Sequence, residues 1–254
     1  MPVPPSPLAV FGLPQTKFAY EQAVLRLSSG LKGLWSLQET SGTAFKDSLG
    51  LGGASAVGTV TAGQAGPNAS IPYSVNFNTG YANTGYQQAS VTKYTFACWF
   101  KTTANSGMLF GGRSNVGLGS LSAFIGTDGA GFGGNGRPRL LWDAPGVAAG
   151  YSTLAAYHDG NWHHGVWVCD TAPGAVIVQG HMRIHIDGAS LPIIRQDADA
   201  TAAPFSSSGP MQIAADGRNT STLVCNLAMV SVWERVLSGA EIAWLYRCAT
   251  VSNR

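Results

Sequence analysis

The residues of this chain best suited to chemistry are its carboxylates, its histidines and one aromatic cluster. Retaining glycosidases hold two carboxylates about 5 Å apart, one as nucleophile and one as acid/base. The chain has four glutamates, Glu21, Glu39, Glu234 and Glu241, and none has a second acid two residues on. Asp197 and Asp199 form the one close acidic pair, in a stretch that reads as loop. No catalytic residue is expected on this ground, and the chain reads as a non-enzyme. His163 and His164 are adjacent. Neighbours on a strand face opposite sides, so the two cannot chelate one ion together. They read as strand histidines hydrogen-bonded inside the fold. No Gly-x-Ser-x-Gly elbow motivates a Ser-His-Asp triad.

Asn135, Arg137, Trp142, Asp143 and Tyr151 surround a glycine-rich segment running from Gly126 to Arg137. A flat ring beside amide, guanidinium and carboxylate groups is the chemistry of sugar binding. The competing reading makes Trp142 an ordinary core residue.

The elements that must position these residues read as short strands. Asp159-Gly160 is a tight reversal, and after it Trp162, His164, Val166 and Val168 alternate with His163, Gly165, Trp167 and Cys169. Both rows are bulky or apolar, so this strand is expected to be covered on two faces, with Trp162 and Trp99 buried. Met182, Ile184 and Ile186 alternate with Arg183 and His185 and end at Asp187-Gly188, a second strand and turn. Further strands are expected at Tyr73 to Phe77, Tyr81 to Tyr86, Tyr94 to Thr102, Met108 to Phe110, Leu121 to Ile125, Arg139 to Trp142, Ala175 to Val178, Leu191 to Ile194, Met211 to Ala214 and Leu223 to Trp233. Gly50 to Ser70, rich in small residues, reads as irregular edge strand and loop.

Two helices frame the strands. Tyr20, Ala23, Val24, Leu27 and Leu31 repeat at helical spacing and stop at Ser28-Ser29-Gly30. Near the end, Ser238-Gly239-Ala240-Glu241 is a capping box, and Leu237 and Ile242 occupy the positions of a hydrophobic staple.

Composition agrees with one sizeable core in 254 residues. The 33 glycines and 11% charged residues suit many strands joined by tight turns. A formal charge of +2 without a Lys/Arg block argues against a nucleic-acid partner. No apolar run approaches the roughly 18–20 residues of a membrane helix, so no insertion is expected. The start lacks the basic and apolar regions of a cleavable signal peptide. Cys98, Cys169, Cys225 and Cys248 are widely spaced, and free buried thiols are expected. Prolines at 2, 4, 5, 7 and 14 exclude a helix or an interior strand and predict an extended arm. Its Val3, Leu8, Val10, Phe11 and Leu13 suit docking on a neighbouring subunit.

The pattern Leu34-Trp35-Ser36-Leu37-Gln38-Glu39-Thr40-Ser41-Gly42-Thr43, then Asp47-Ser48-Leu49-Gly50, resembles the opening strand of LamG-like jelly-roll domains of the concanavalin A-like lectin/glucanase superfamily. Tyr94 to Lys101, the Trp162-His163-His164 strand, the strand ending in Asp187-Gly188, and Val230 to Ser238 with Glu241-Ile242 stand in the order that family requires. The resemblance implies an all-β, two-sheet antiparallel jelly-roll sandwich with short N- and C-terminal helices. Residues 1–31 then form the arm and first helix, and residues 32–254 the jelly-roll domain. It also implies a Ca²⁺ site for which Glu39 and Asp47 match acidic positions, although the acidic pair usual after the late strand is replaced by Ala228 and Met229.

Tyr20-Glu21-Gln22-Ala23-Val24-Leu25 ahead of that opening strand resembles LamG-like proteins carried on bacteriophage tails and related particles. The implied function is a virion surface protein (tail, fibre or head spike) that binds host surface polysaccharide. It would be present in many copies and held to other virion proteins by the arm. A structural decoration module without ligand and a glycan-active enzyme are the alternatives.

Overall fold

The computed structural model describes residues 19–88, 92–112, 120–125, 136–144, 147–172, 176–195, 200–201, 209–216 and 222–250. Helix α1 (Ala19–Arg26) leads into β1 (Leu31–Trp35), β2 (Ala44–Phe45), β3 (Ala54–Val57), β4 (Val60–Asn68), β5 (Ile71–Phe77) and β6 (Tyr81–Asn83). The middle of the chain supplies β7 (Lys93–Lys101), β8 (Gly107–Gly111), β9 (Ser120–Ile125), β10 (Pro138–Ala144), β11 (Val147–Thr153) and β12 (Trp162–Asp170). Then come β13 (Val176–Ile177), β14 (Met182–Ile186), β15 (Ala189–Ser190), β16 (Ile193–Arg195), β17 (Ala200–Thr201), β18 (Gln212–Ile213), β19 (Cys225–Trp233) and helix α2 (Gly239–Thr250).

The strands form two antiparallel sheets. The eight-stranded one runs β15-β14-β12-β7-β19-β5-β4, with β1 also paired to β19. The nine-stranded one runs β16-β11-β10-β9-β8-β18-β6-β3-β2. β13 and β17 pair separately.

β7 and β12 are central to the first sheet, which is why neither shows a polar face. Between its two exposed terminal lysines, every residue of β7 is buried. Phe96, Cys98 and Phe100 of β7, with Trp167 and Cys169 of β12, face the core between the sheets. There Phe96 stacks on Phe110 of the opposite sheet, with centroids 4.8 Å apart and planes 10° from parallel. Gly165 is required by close approach, because the ring of Trp167 folds over it where a Cβ would stand.

The other face of the same strands supports a second core. Ala97, Trp99, Val166, Val168 and Trp233 pack under Tyr20, Ala23 and Val24 of α1 and Ile242, Leu245 and Ala249 of α2. α1 is thereby part of the packed body. The indole N–H of Trp233 donates to the Leu27 carbonyl just after α1, at 2.8 Å. α2 starts with the expected reciprocal cap. The Glu241 amide donates to Ser238 Oγ at 3.2 Å, and the Ser238 amide donates to Glu241 Oε2 at 2.7 Å.

Three details differ from the sequence reading. Trp162 is half-buried, because it is the first residue of β12, beside the open Asp159–Asn161 turn. β11 was not expected: its Ala148, Ala149 and Gly150 carry little strand propensity, and pairing with β10 on one side and β16 on the other defines it. The four cysteines are free, but Cys248 is half-buried while the other three are buried.

Candidate functional site

The two sheets differ in what covers them. The helices cover the outer face of the eight-stranded sheet, and the nine-stranded sheet alternates apolar and polar rows. Its core-facing row includes Ala82, Ile213, Phe110, Ala123 and Leu140. In the alternate row, Gln212 donates from Nε2 to Asn83 Oδ1 at 2.7 Å, across paired strands. Arg139, next to Leu140 and so in that alternate row, is only 1% exposed.

The residues expected to bind sugar fall mainly on adjacent strands of this sheet. Trp142 and Asp143 lie in β10 and Tyr151 in β11. In the ladder Leu140 opposes Tyr151, Trp142 opposes Ala149, and Asp143 opposes Ala148. Trp142 and Tyr151 thus belong to the alternating row of Leu140, and Asp143 to the row of Arg139. Arg137, half-buried, stands just before β10. Asn135 lies outside the described residues.

A second polar group gathers where β10 begins. The Tyr157 amide donates to the Gly136 carbonyl at 2.8 Å, and the Gly136 amide to the Asn105 carbonyl at 2.9 Å. The His158 ring lies against Gly136, in space that any side chain at position 136 would fill. The next residue, Asp159, accepts from the Asn161 backbone amide at 2.8 Å and from its side-chain amide at 3.0 Å. These bonds bring the Asp159 carboxyl down to about 2. His163 then stands between two carboxylates, with Nδ1 2.8 Å from Asp187 Oδ2 and Nε2 3.2 Å from Asp159 Oδ1. Burial of the ring lowers its pKa, but bonding and charge from Asp187 and Asp159 outweigh this and leave it raised. The sequence signal for this group was the pair of Asp-Gly turns, read only as turns.

His164 faces the opposite side of β12, as strand alternation requires. It is fully buried under α1, where its Nε2 meets the Tyr20 hydroxyl at 2.7 Å. Burial pushes its pKa down to about 3, so it is neutral.

The proposed calcium ligands are occupied by backbone. Asp47 Oδ1 accepts from the Leu34 and Leu49 amides at 3.0 and 3.1 Å, and Oδ2 from the Leu51 amide at 3.0 Å. Glu39 Oε1 accepts from the Lys46 amide at 2.9 Å, and its buried Oε2 has no hydrogen-bond partner among the described residues. Ala228 and Met229 sit at a β-bulge of β19, both wholly buried in the helix-side core. A Ca²⁺ ion takes six to eight oxygens, and these residues alone do not fit it. Among the described residues no group of three or more His, Cys, Asp or Glu is placed to hold a metal ion.

The glutamates are likewise engaged in structure. Glu21 accepts from Ser48, Glu234 pairs with Lys32 and Tyr86, and Glu241 pairs with Arg235 and Ser238. Asp197 and Asp199 lie outside the described residues.

Two antiparallel sheets packed around an apolar core, with α1 and α2 covering the outer face of one of them, define a jelly-roll sandwich. The chain belongs to the laminin G family of the concanavalin A-like lectin/glucanases superfamily, whose model matches residues 76–243. No curated protein matches the chain in sequence. Its fold is similar to domain 4 of an extracellular arabinanase from Geobacillus stearothermophilus, solved with arabinotriose. That match has a TM-score of 0.60 at 14% identity and covers 86% of this chain and 98% of the other. It is also similar to Trypanosoma rangeli sialidase (TM-score 0.59, 15% identity, 92% of this chain but 38% of the sialidase). The binding domain of botulinum neurotoxin DC in complex with SialylT gives a TM-score of 0.57 at 11% identity, over 86% of this chain and 52% of the other.

Proposed function

We propose that this domain is a glycan-binding module of a virion surface, present in many copies and recognising host-cell polysaccharide at the Arg137 end of its nine-stranded sheet. One observation carries the reading. Helices α1 and α2 close the outer face of one sheet, whereas half-buried Arg137 stands at the start of β10 at an end of the other sheet, next to the buried Arg139. The solved complexes of similar fold with arabinotriose and SialylT support a sugar as the ligand class. The family resemblance and the proline-rich segment 1–14 support attachment to other virion proteins. The reading assigns the domain recognition and no catalytic step.

A glycan array of bacterial surface polysaccharides, probed with the full chain, tests this. We expect binding to a restricted set, weakened at least tenfold by Arg137→Ala at unchanged melting temperature. Absence of binding by a folded protein that still incorporates into particles would favour the structural decoration module instead.

A further inference from the structure

One imidazole joins the loop before β12 to the turn after β14. His163 has a ring nitrogen within hydrogen-bond distance of Asp159 and the other within reach of Asp187. A neutral imidazole carries one N–H and one lone pair, so it can donate to only one of these carboxylates. The imidazolium donates to both. The bridge is therefore complete only in the protonated state.

The surroundings favour that state. Asp159 faces the ring from the loop, and Asp187 from the turn. Tyr157 meets it edge-on at 5.0 Å, and Phe100 of β7 covers it at 5.8 Å. Burial, and after it the charge of Asp187, raises the pKa of the hydroxyls of Tyr157 and of Tyr246 on α2, so both are neutral. On the far face the neutral His164 donates its backbone amide to Asp187 Oδ1 at 2.9 Å, fixing that carboxylate in place.

The loop that His163 ties down is the one that braces Gly136. Tyr157 bonds the Gly136 carbonyl and the His158 ring lies against its Cα, immediately before Arg137. We propose that His163 is a pH-dependent positioning residue whose protonation straps the 157–161 loop to the Asp187 turn and so holds Gly136 and Arg137. Ligand binding at this end of the nine-stranded sheet then tightens as pH falls. This last consequence rests on the glycan reading; the strap itself does not.

The sign follows from the raised pKa in the folded state. The stabilisation is complete below the ordinary imidazole value of about 6.5 and is lost as pH rises through the higher folded value.

The test is NMR-detected amide exchange on the full chain between pH 5 and 8, with direct titration of the His163 ring. Protection factors of the Tyr157, Asn161 and Gly136 amides should fall with rising pH, by up to tenfold for each unit of elevation. His163→Gln should remove the pH dependence. Asp159→Asn, at a half-exposed side chain, should reduce it, and it serves if His163→Gln fails to fold. A His163 that titrates at or below 6.5, protection factors flat with pH, or variants with the wild-type slope would overturn the strap. None of these readouts needs a sugar, so the strap and the glycan reading fail separately. For any glycan bound on the array, affinity independent of pH in a protein whose strap titrates would overturn the link to binding.

Discussion

The two adjacent histidines of β12 have opposite electrostatic fates. His163 gains two carboxylates and its pKa rises, whereas His164 lies under α1 and burial pushes its pKa down to about 3. For His164 the unfolded chain binds the extra proton, so its contribution is full above about pH 6.5 and declines as pH falls toward about 3. Acid titrations of stability should therefore show the His164 loss over that window, and His164→Phe should flatten it if the cavity accepts the ring. Tyr20 is the partner that makes burial of His164 tolerable. Tyr20→Phe would strip His164 Nε2 of its hydrogen bond in a site with no water access, and should cost about 1–3 kcal/mol, read as a lower denaturant midpoint. A midpoint equal to wild type would mean the ring satisfies itself elsewhere.

Among the elements, α2 was the most legible and also the most local. The Ser238 hydroxyl and the Glu241 carboxylate each accept one end amide, and Leu237 and Ile242 are both fully buried beneath. Ser238→Ala should cost about 0.5–2 kcal/mol, because one helix N–H loses its acceptor. Urea denaturation of the variant reads this directly, and an unchanged midpoint would show that the box adds nothing. β11 is the opposite case. Its residues have weak strand propensity, so a local reading passes over them, and only the ladder to β10 sets Tyr151 opposite Leu140. The candidate cluster is accordingly half local. Arg137, Trp142 and Asp143 are close in sequence, but Tyr151 reaches β10 only through a pairing that no short window contains, and that ladder puts Trp142 and Tyr151 in the row of Leu140 and Asp143 in the opposite one.

On the scale of the whole molecule, α1 and α2 layer one outer face of the sandwich, and segment 1–14, expected to be an extended arm, lies outside the described residues. If segment 1–14 is a tether to other virion proteins, deleting it should leave the folded body and any glycan binding intact while abolishing incorporation into particles. Melting temperature, array binding and particle occupancy of the truncated protein would be measured together. Incorporation at normal occupancy would refute the tether. A fall in melting temperature would instead place the arm on its own sandwich.

The sequence by itself determined the fold class, through alternating strands, paired Asp-Gly turns, the capping box and motifs in family order. These are signals of short range, set by backbone preference and by which face of an element meets water. It also separated His163 from His164, since strand alternation needs no tertiary information. What only the tertiary structure decided is which carboxylates meet His163, which backbone amides occupy Asp47, and which sheet face the helices close. Asp187 lies 24 residues from His163, and Tyr20 lies 144 residues from His164. Contacts at such separations depend on strand order and register, which arise when both apolar faces of β7 and β12 are buried at once.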